Sequence, residues 1–164
     1  MDGTADGWLG VDDIPVAHTP PGGYGDVLPP PILDRCRDPL VPGAPDLRGT
    51  WRTVSVAVNG EAAPDHPVLQ HVERIEQCAD RIVVTSAGVV HDMRCDGSEA
   101  NGVHDVAAID FTTPITVVAT YEDGVHTLRP VGLPGIEITR RRDGDELVWA
   151  YGPAFTARLR RVEP

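Results

Sequence analysis

The sequence predicts an all-β protein: an antiparallel up-and-down barrel of about eight to ten strands, preceded by an extended arm. Three observations predict it. From residue 49 onward, short runs rich in Val, Ile, Thr and aromatic residues recur at roughly 8 to 12 residue spacing, with turn signals between them. No stretch of the chain sustains a 3.6-residue apolar period. Nine of the 16 prolines fall at positions 15, 20, 21, 29, 30, 31, 39, 42 and 45. Proline fixes φ and removes a backbone donor, so neither a helix nor a central strand persists there.

Residues 1–45 form the arm and 46–164 the barrel. The arm carries Asp2, Asp6, Asp12, Asp13, Asp26, Asp34 and Asp38 against only Arg35 and Arg37. Such a balance favours disorder. Trp8, Leu9, Val11, Ile14 and Val16, however, make one apolar cluster, and Val27, Leu28, Ile32, Leu33 and Leu40 make another. Large apolar groups gain by leaving water, so the preferred reading is an arm wrapped over the barrel, with one helical turn across residues 32–36; a free tail is the alternative.

The first strand is 49–58, where Trp51, Thr53, Ser55 and Ala57 share one face and Arg52, Val54, Val56 and Val58 the other. Asn59-Gly60 ends it, since both residues accept positive φ. Residues 62–68, with Pro64 and Pro67, read as an irregular crossing or lid. Strands follow at 71–77, 81–86, 89–95, 103–111, 115–121, 125–131, 136–142, 146–151 and 155–162, joined by turns such as Ala87-Gly88, Glu122-Asp123-Gly124 and Asp143-Gly144-Asp145. Nearly every connection is short, which favours a meander; a Greek key needs a long return, and only 59–70 supplies one.

Composition narrows the function. A net charge of -11 and a pI near 4.8 argue against a nucleic-acid backbone or an anionic membrane as partner. All 14 basic residues are arginines, so no lysine amine exists to form a Schiff base; Arg-favouring codons are the plain explanation. No apolar run approaches the roughly 18 residues of a membrane span. The acidic start lacks the pattern of a secretory leader, and three cysteines, Cys36, Cys78 and Cys95, fit a reducing compartment. A cytoplasmic location is the expectation.

Gly49-x-Trp51 leads into an alternating strand, and Thr139 to Trp149, with Gly144-Asp-Glu-Leu147 as its turn, precedes an Arg-bearing last strand, Ala157 to Val162. In these features the chain resembles the calycin superfamily, the lipocalins and fatty-acid-binding-like barrels, from Leu47 to Val162. The resemblance implies a calycin-like barrel closed by pairing of its last strand with its first. It also implies a small, mostly apolar ligand, with an anion among the options. Residues 61–70 would cover the mouth, making Asp65, His66, Pro67 and Leu69 mouth candidates. Gly49 and Trp51 would be structural, the indole stacked on Arg158 or Arg160. Two departures stand out. Arg160 occupies the place of the tyrosine in the family's ligand-holding Arg-x-Tyr pair, and the extended Gly-x-Trp-x-Gly-x-Gly motif of haem-carrying barrels is broken at Thr53. No cofactor and no metal are expected.

Arg158 and Arg160 share one face of the last strand, opposite Phe155, Ala157 and Leu159. Facing inward they form a cationic fork for a carboxylate; with the apolar face inward, both are solvated. The ligand-binding candidates are Arg158, Arg160, His126, His66 and Trp149. An isomerase or cyclase on the same scaffold is the alternative function, with His91, His104, Asp105, Tyr121 and Arg158 as suspects, histidine being the side chain that titrates near neutrality. Val-His-Asp occurs twice, at 90–92 and 103–105, but adjacent strand residues face opposite ways, so neither is a ready dyad. Glu73, Glu76 and Asp110 read as solvated carboxylates. Cys78 and Cys95 fall at one barrel end, either as two thiols or as a geometrically allowed bond. No phosphate loop, dinucleotide fingerprint, serine elbow or Cys-x-x-Cys occurs. A small-molecule ligand is the expected partner; a homodimer and a protein contact through the arm stay open.

Overall fold

The computed structural model describes residues 7–162, so the first six residues of the arm and the last two of the chain lie outside the described residues. Among the described residues are eleven strands: β1 Gly49–Val58, β2 Glu61–Ala62, β3 Val72–Cys78, β4 Arg81–Ser86, β5 Val89–Arg94, β6 Val103–Val106, β7 Pro114–Glu122, β8 Val125–Pro130, β9 Ile138–Asp143, β10 Glu146–Tyr151 and β11 Phe155–Arg161. Their order, β5-β4-β3-β1-β11-β10-β9-β8-β7-β6, is a meander joined by antiparallel pairing of β1 with β11. The barrel is nearly closed. Between β5 and β6 no ladder forms, although the Arg94 amide donates to the Asn101 carbonyl at 2.8 Å and Asp96 bridges Thr120.

Tight turns impose this connectivity. Asn59-Gly60, Ala87-Gly88 and Asp123-Gly124 each have two successive positive φ angles, the conformation whose twist matches a hairpin. Two elements differ from the sequence reading. The short β2 folds back on β1 after Asn59-Gly60, and β6 stops at Val106 instead of running to Phe111. Asp110 explains the latter: its Oδ1 accepts the Thr112 and Thr113 amides at 2.9 Å, which turns the chain before β7. Residues 62–68 resolve into an irregular stretch leading to a 3-10 turn, Pro67–Gln70, capped by His66 Nδ1 accepting from the Val68 amide.

Two apolar cores result. The interior holds seventeen hydrophobic residues at 9% exposure or less, among them Leu47, Trp51, Ile75, Ile82, Leu147 and Leu159. A smaller core lies on the outer wall, where Val11 and Leu33 of the arm pack on Cys78, Val83 and Val90. β4 is therefore buried on both faces. Beneath the arm, Arg81 pairs with Asp92 through Nε–Oδ1 at 2.8 Å and Nη2–Oδ2 at 2.6 Å. The remaining guanidinium hydrogens reach the carbonyls of Val11, Ile14 and Pro15, and Asp92 accepts the Ala17 amide. A buried ion pair survives desolvation only when its other hydrogen-bonding positions are filled, and here arm backbone fills them.

Cys36 of the arm forms a disulfide with Cys78 of β3, with Cα atoms 6.1 Å apart. This corrects the Cys78–Cys95 option. Cys78 belongs to the outer core and Cys95 to the interior one, so the barrel wall stands between them. A disulfide is also a poor match for the reducing compartment that three cysteines suggested.

Candidate functional site

Ile75 must face the interior, and the two-residue period of β3 carries Glu73 and Gln77 inward with it. Across the barrel, Ile138 of β9 does the same for Arg140. Glu73, fully buried, meets Arg140, 5% exposed, through Nε–Oε2 at 2.8 Å and Nη2–Oε1 at 3.0 Å. His71 Nε2 shares a 2.7 Å hydrogen bond with the same carboxylate. Burial works to raise the Glu73 pKa, but Arg140 and the His71 hydrogen bond outweigh it and hold the carboxyl at about 2. Glu73 thus stays ionised and cancels the charge of Arg140.

Around this pair stand groups with nothing to bond. His126, opposite Arg140 in the β8–β9 ladder, is fully buried, and neither ring nitrogen has a hydrogen-bond partner among the described residues. Burial, with Arg140 nearby, lowers its pKa to about 3, so the imidazole is neutral. The Trp149 indole N–H and the Thr53 hydroxyl are likewise buried without partners. Trp149 lies 4.6 Å from the His71 ring, and the Arg140 guanidinium sits 5.0 Å over its indole. Beside the 3-10 turn, Trp149, Tyr151 and Phe155 form an aromatic group that His66 joins at 5.3 Å from Phe155.

The other candidates scatter. Arg158 and Arg160 stand on the outer wall, ion-paired with Glu146, and Arg158 also with Asp143. Their strand turns Ala157 and Leu159 inward, so apolar burial sets its facing. Trp51, completely buried, donates from its indole to the Leu47 carbonyl at 2.8 Å. The cations over its ring are Arg161 at 4.7 Å and Arg142 at 5.6 Å, not Arg158 or Arg160, because β11 pairs Arg161 directly with Trp51. Gly49, at φ 139°, lies beneath the Arg161 side chain. His91 faces inward at the β5 edge, with Nε2 3.1 Å from the Val106 carbonyl; burial lowers its pKa. His104 is exposed and bonds the Glu99 carbonyl, while Asp105 accepts the Thr19 amide. Tyr121, paired with His126 in the β7–β8 ladder, sets its ring edge-on to that imidazole at 5.8 Å between centroids, accepts from Gln77 at 2.9 Å, and has its pKa raised by burial. The structure therefore gathers His126, Trp149 and Tyr121, leaves His91 at the edge, and separates the rest.

Glu73, Arg140, His71 and Thr53 belong to the gathered group but were not among the candidates. The reading of Glu73 as solvated is overturned by its complete burial. A signal did exist: alternation about Ile75 places Glu73 on the buried face, just as alternation about Ile138 places Arg140 there.

No family model and no curated protein matches the sequence. Among solved structures, human cRBP IV matches with a TM-score of 0.52 and 16% identity, over 71% of this chain and 98% of that one. Zebrafish ileal bile acid-binding protein complexed with cholic acid matches equally, with 0.52 and 16%, over 70% and 98%. The chain shares the antiparallel β-barrel fold of these two proteins. At that identity the likeness establishes architecture alone; inside this barrel, buried apolar side chains surround a paired Glu73 and Arg140. A surface cleft of about 590 Å³ lies outside the barrel, between Arg129, Leu133, Ile136 and Pro153. Among the described residues, no helix is long and apolar enough to cross a membrane.

Proposed function

We propose that the protein binds one small, neutral, largely apolar molecule inside the barrel and holds a hydroxyl or carbonyl group of it against His126, Trp149 and Thr53. The observation that carries this reading is the set of buried, unpartnered polar atoms on those three residues within an apolar interior. A buried polar group without a partner costs about 1–3 kcal/mol. A ligand bringing one donor and one acceptor recovers much of that cost, while its apolar body replaces side-chain contacts. Supporting the same reading, the two structural neighbours are named for retinol and bile-acid binding.

Charge selects a neutral ligand. Arg140 is already matched by Glu73, so a carboxylate entering this space meets a local net charge near zero and loses its hydration without compensation. The isomerase alternative draws less support, because a carboxylate held at about pKa 2 is a weak proton acceptor.

Titrating the delipidated full chain with all-trans-retinol, read by loss of tryptophan emission, tests the proposal. Decanol and decanoate then compete for the site. The expected result is a saturable one-to-one response, displaced at least tenfold more readily by decanol than by decanoate. His126→Leu should weaken retinol about tenfold, the equivalent of one lost hydrogen bond. Absence of any saturable response sinks the reading; preference for decanoate sinks its neutral-ligand part.

A further inference from the structure

The interior is packed, and the wall is continuous everywhere except between β5 and β6. There the strands share no ladder. What crosses the gap is the Arg94–Asn101 main-chain bond at one end, the contact of His91 with the Val106 carbonyl at the other, and the arm. Ala17 donates its amide to Asp92 on β5 at 2.9 Å, Thr19 donates its amide to Asp105 on β6 at 2.9 Å, and the Thr19 hydroxyl accepts the Val90 amide of β5 at 3.0 Å. Three bonds from two arm residues, Ala17 and Thr19, thus join two strands that do not pair with each other.

We propose that Ala17–Thr19 is a releasable stitch across the β5–β6 seam, and that the seam is the door through which the small molecule reaches the barrel interior. This rests on the binding reading above. Two surface clefts, of about 490 and 410 Å³, flank the stitch, and His18 lines both. The first is also lined by Met93, a residue of the interior core, so the seam is the place where one side chain separates outside from inside.

The arm is anchored on both sides of the stitch. Upstream, Arg81 holds the carbonyls of Val11, Ile14 and Pro15. Downstream, the Tyr24 amide bonds Gly88, Glu76 accepts the Ile32 and Leu33 amides, and Cys36 is tied to Cys78. Between the anchors the chain turns through Gly22 and Gly23, with φ of 78° and 82°, a backbone region open to glycine. The short span can lift while its ends remain fixed. Its fastenings are hydrogen bonds at a partly exposed surface, each of modest net strength, whereas the ladders on either side are cooperative sheets.

The test pairs hydrogen exchange with stopped-flow retinol binding in the full chain and in the Thr19→Val/Asp105→Ala double variant. The variant removes two of the three fastenings and leaves His126, Trp149 and Thr53 untouched. The expected result is exchange at the Val90 amide at least tenfold faster, with β10 and β11 unchanged. Association and dissociation rates should both rise about fivefold, with Kd within twofold of the original. Unchanged Val90 exchange overturns the stitch. Faster exchange with unchanged rates overturns the door alone. If the original protein binds no retinol, the binding reading fails and the door with it, a result distinct from both.

Discussion

His126 couples the interior to pH. Its folded pKa of about 3 lies below the ordinary 6.5, so between those values the unfolded chain takes up a proton that the folded chain refuses. Stability therefore falls as pH drops from 6.5 toward 3, by about 1.4 kcal/mol per pH unit for this one group, and levels off below. Glu73 acts in the same direction over a lower window: its contribution is present above 4.5 and lost as pH falls through about 2. Urea unfolding at stepped pH should show His126→Gln flattening the slope between pH 6.5 and 4.5, with a remainder from His91, whose pKa is also lowered. An unaltered slope in that variant contradicts the buried, neutral imidazole. The Glu73–Arg140 pair gives a second residue-scale expectation. Glu73→Gln or Arg140→Met alone should cost about 3–5 kcal/mol, because each strands a buried charge or its partner, whereas Glu73→Leu with Arg140→Met should cost far less. A double-mutant cycle reads the coupling directly; additive losses contradict it. Neither residue advertises itself by type, since a strand carboxylate is usually solvated and only the alternation about Ile75 betrays its side.

At the scale of elements, turn chemistry made the hairpins legible. Ala87-Gly88 bounds β4 and β5 where the sequence places them, because two left-handed residues in succession permit little else. In the sequence, Ala107, Ile109 and Phe111 continue the alternation of β6 past Val106, whereas the Asp110 carboxylate captures the backbone first. Gly102, just before β6, has a role that spacing does not reveal: a Cβ there would stand 2.0 Å from the Val117 carbonyl oxygen. Gly102→Ala should therefore lower stability by about 2 kcal/mol or more through displacement of backbone, read as a fall in thermal midpoint. The Cys36–Cys78 bond closes a 42-residue separation, and loop entropy assigns about 4 kcal/mol to such a link. Urea midpoints with and without a dithiol reductant should differ accordingly, and coincident curves contradict a structural bond. Its partner was hidden in the sequence because a proline-rich arm gives no register against the sheet.

For the whole molecule, the closing contact between β1 and β11 and the meander order were readable, since each strand pairs mainly with its sequence neighbour. The polar interior and the docking of the arm were not, because both depend on side chains brought together from strands far apart in sequence. Arg81 and Asp92 show the difficulty. Both lie on the outward face, where charge is expected, yet arm carbonyls bury them almost completely. The barrel and its arm then form a continuous unit with a neutralised ion pair inside and one seam without a ladder, and under the binding proposal these set where a ligand fits and how it arrives. The most direct measurement of this account is the ring ¹⁵N spectrum of the histidines during titration with all-trans-retinol. The account predicts a saturable, one-to-one shift of the His126 ring nitrogens, with exposed His104 unmoved. Saturation without a change at His126, or a change confined to His104 and His18, contradicts a ligand held inside the barrel.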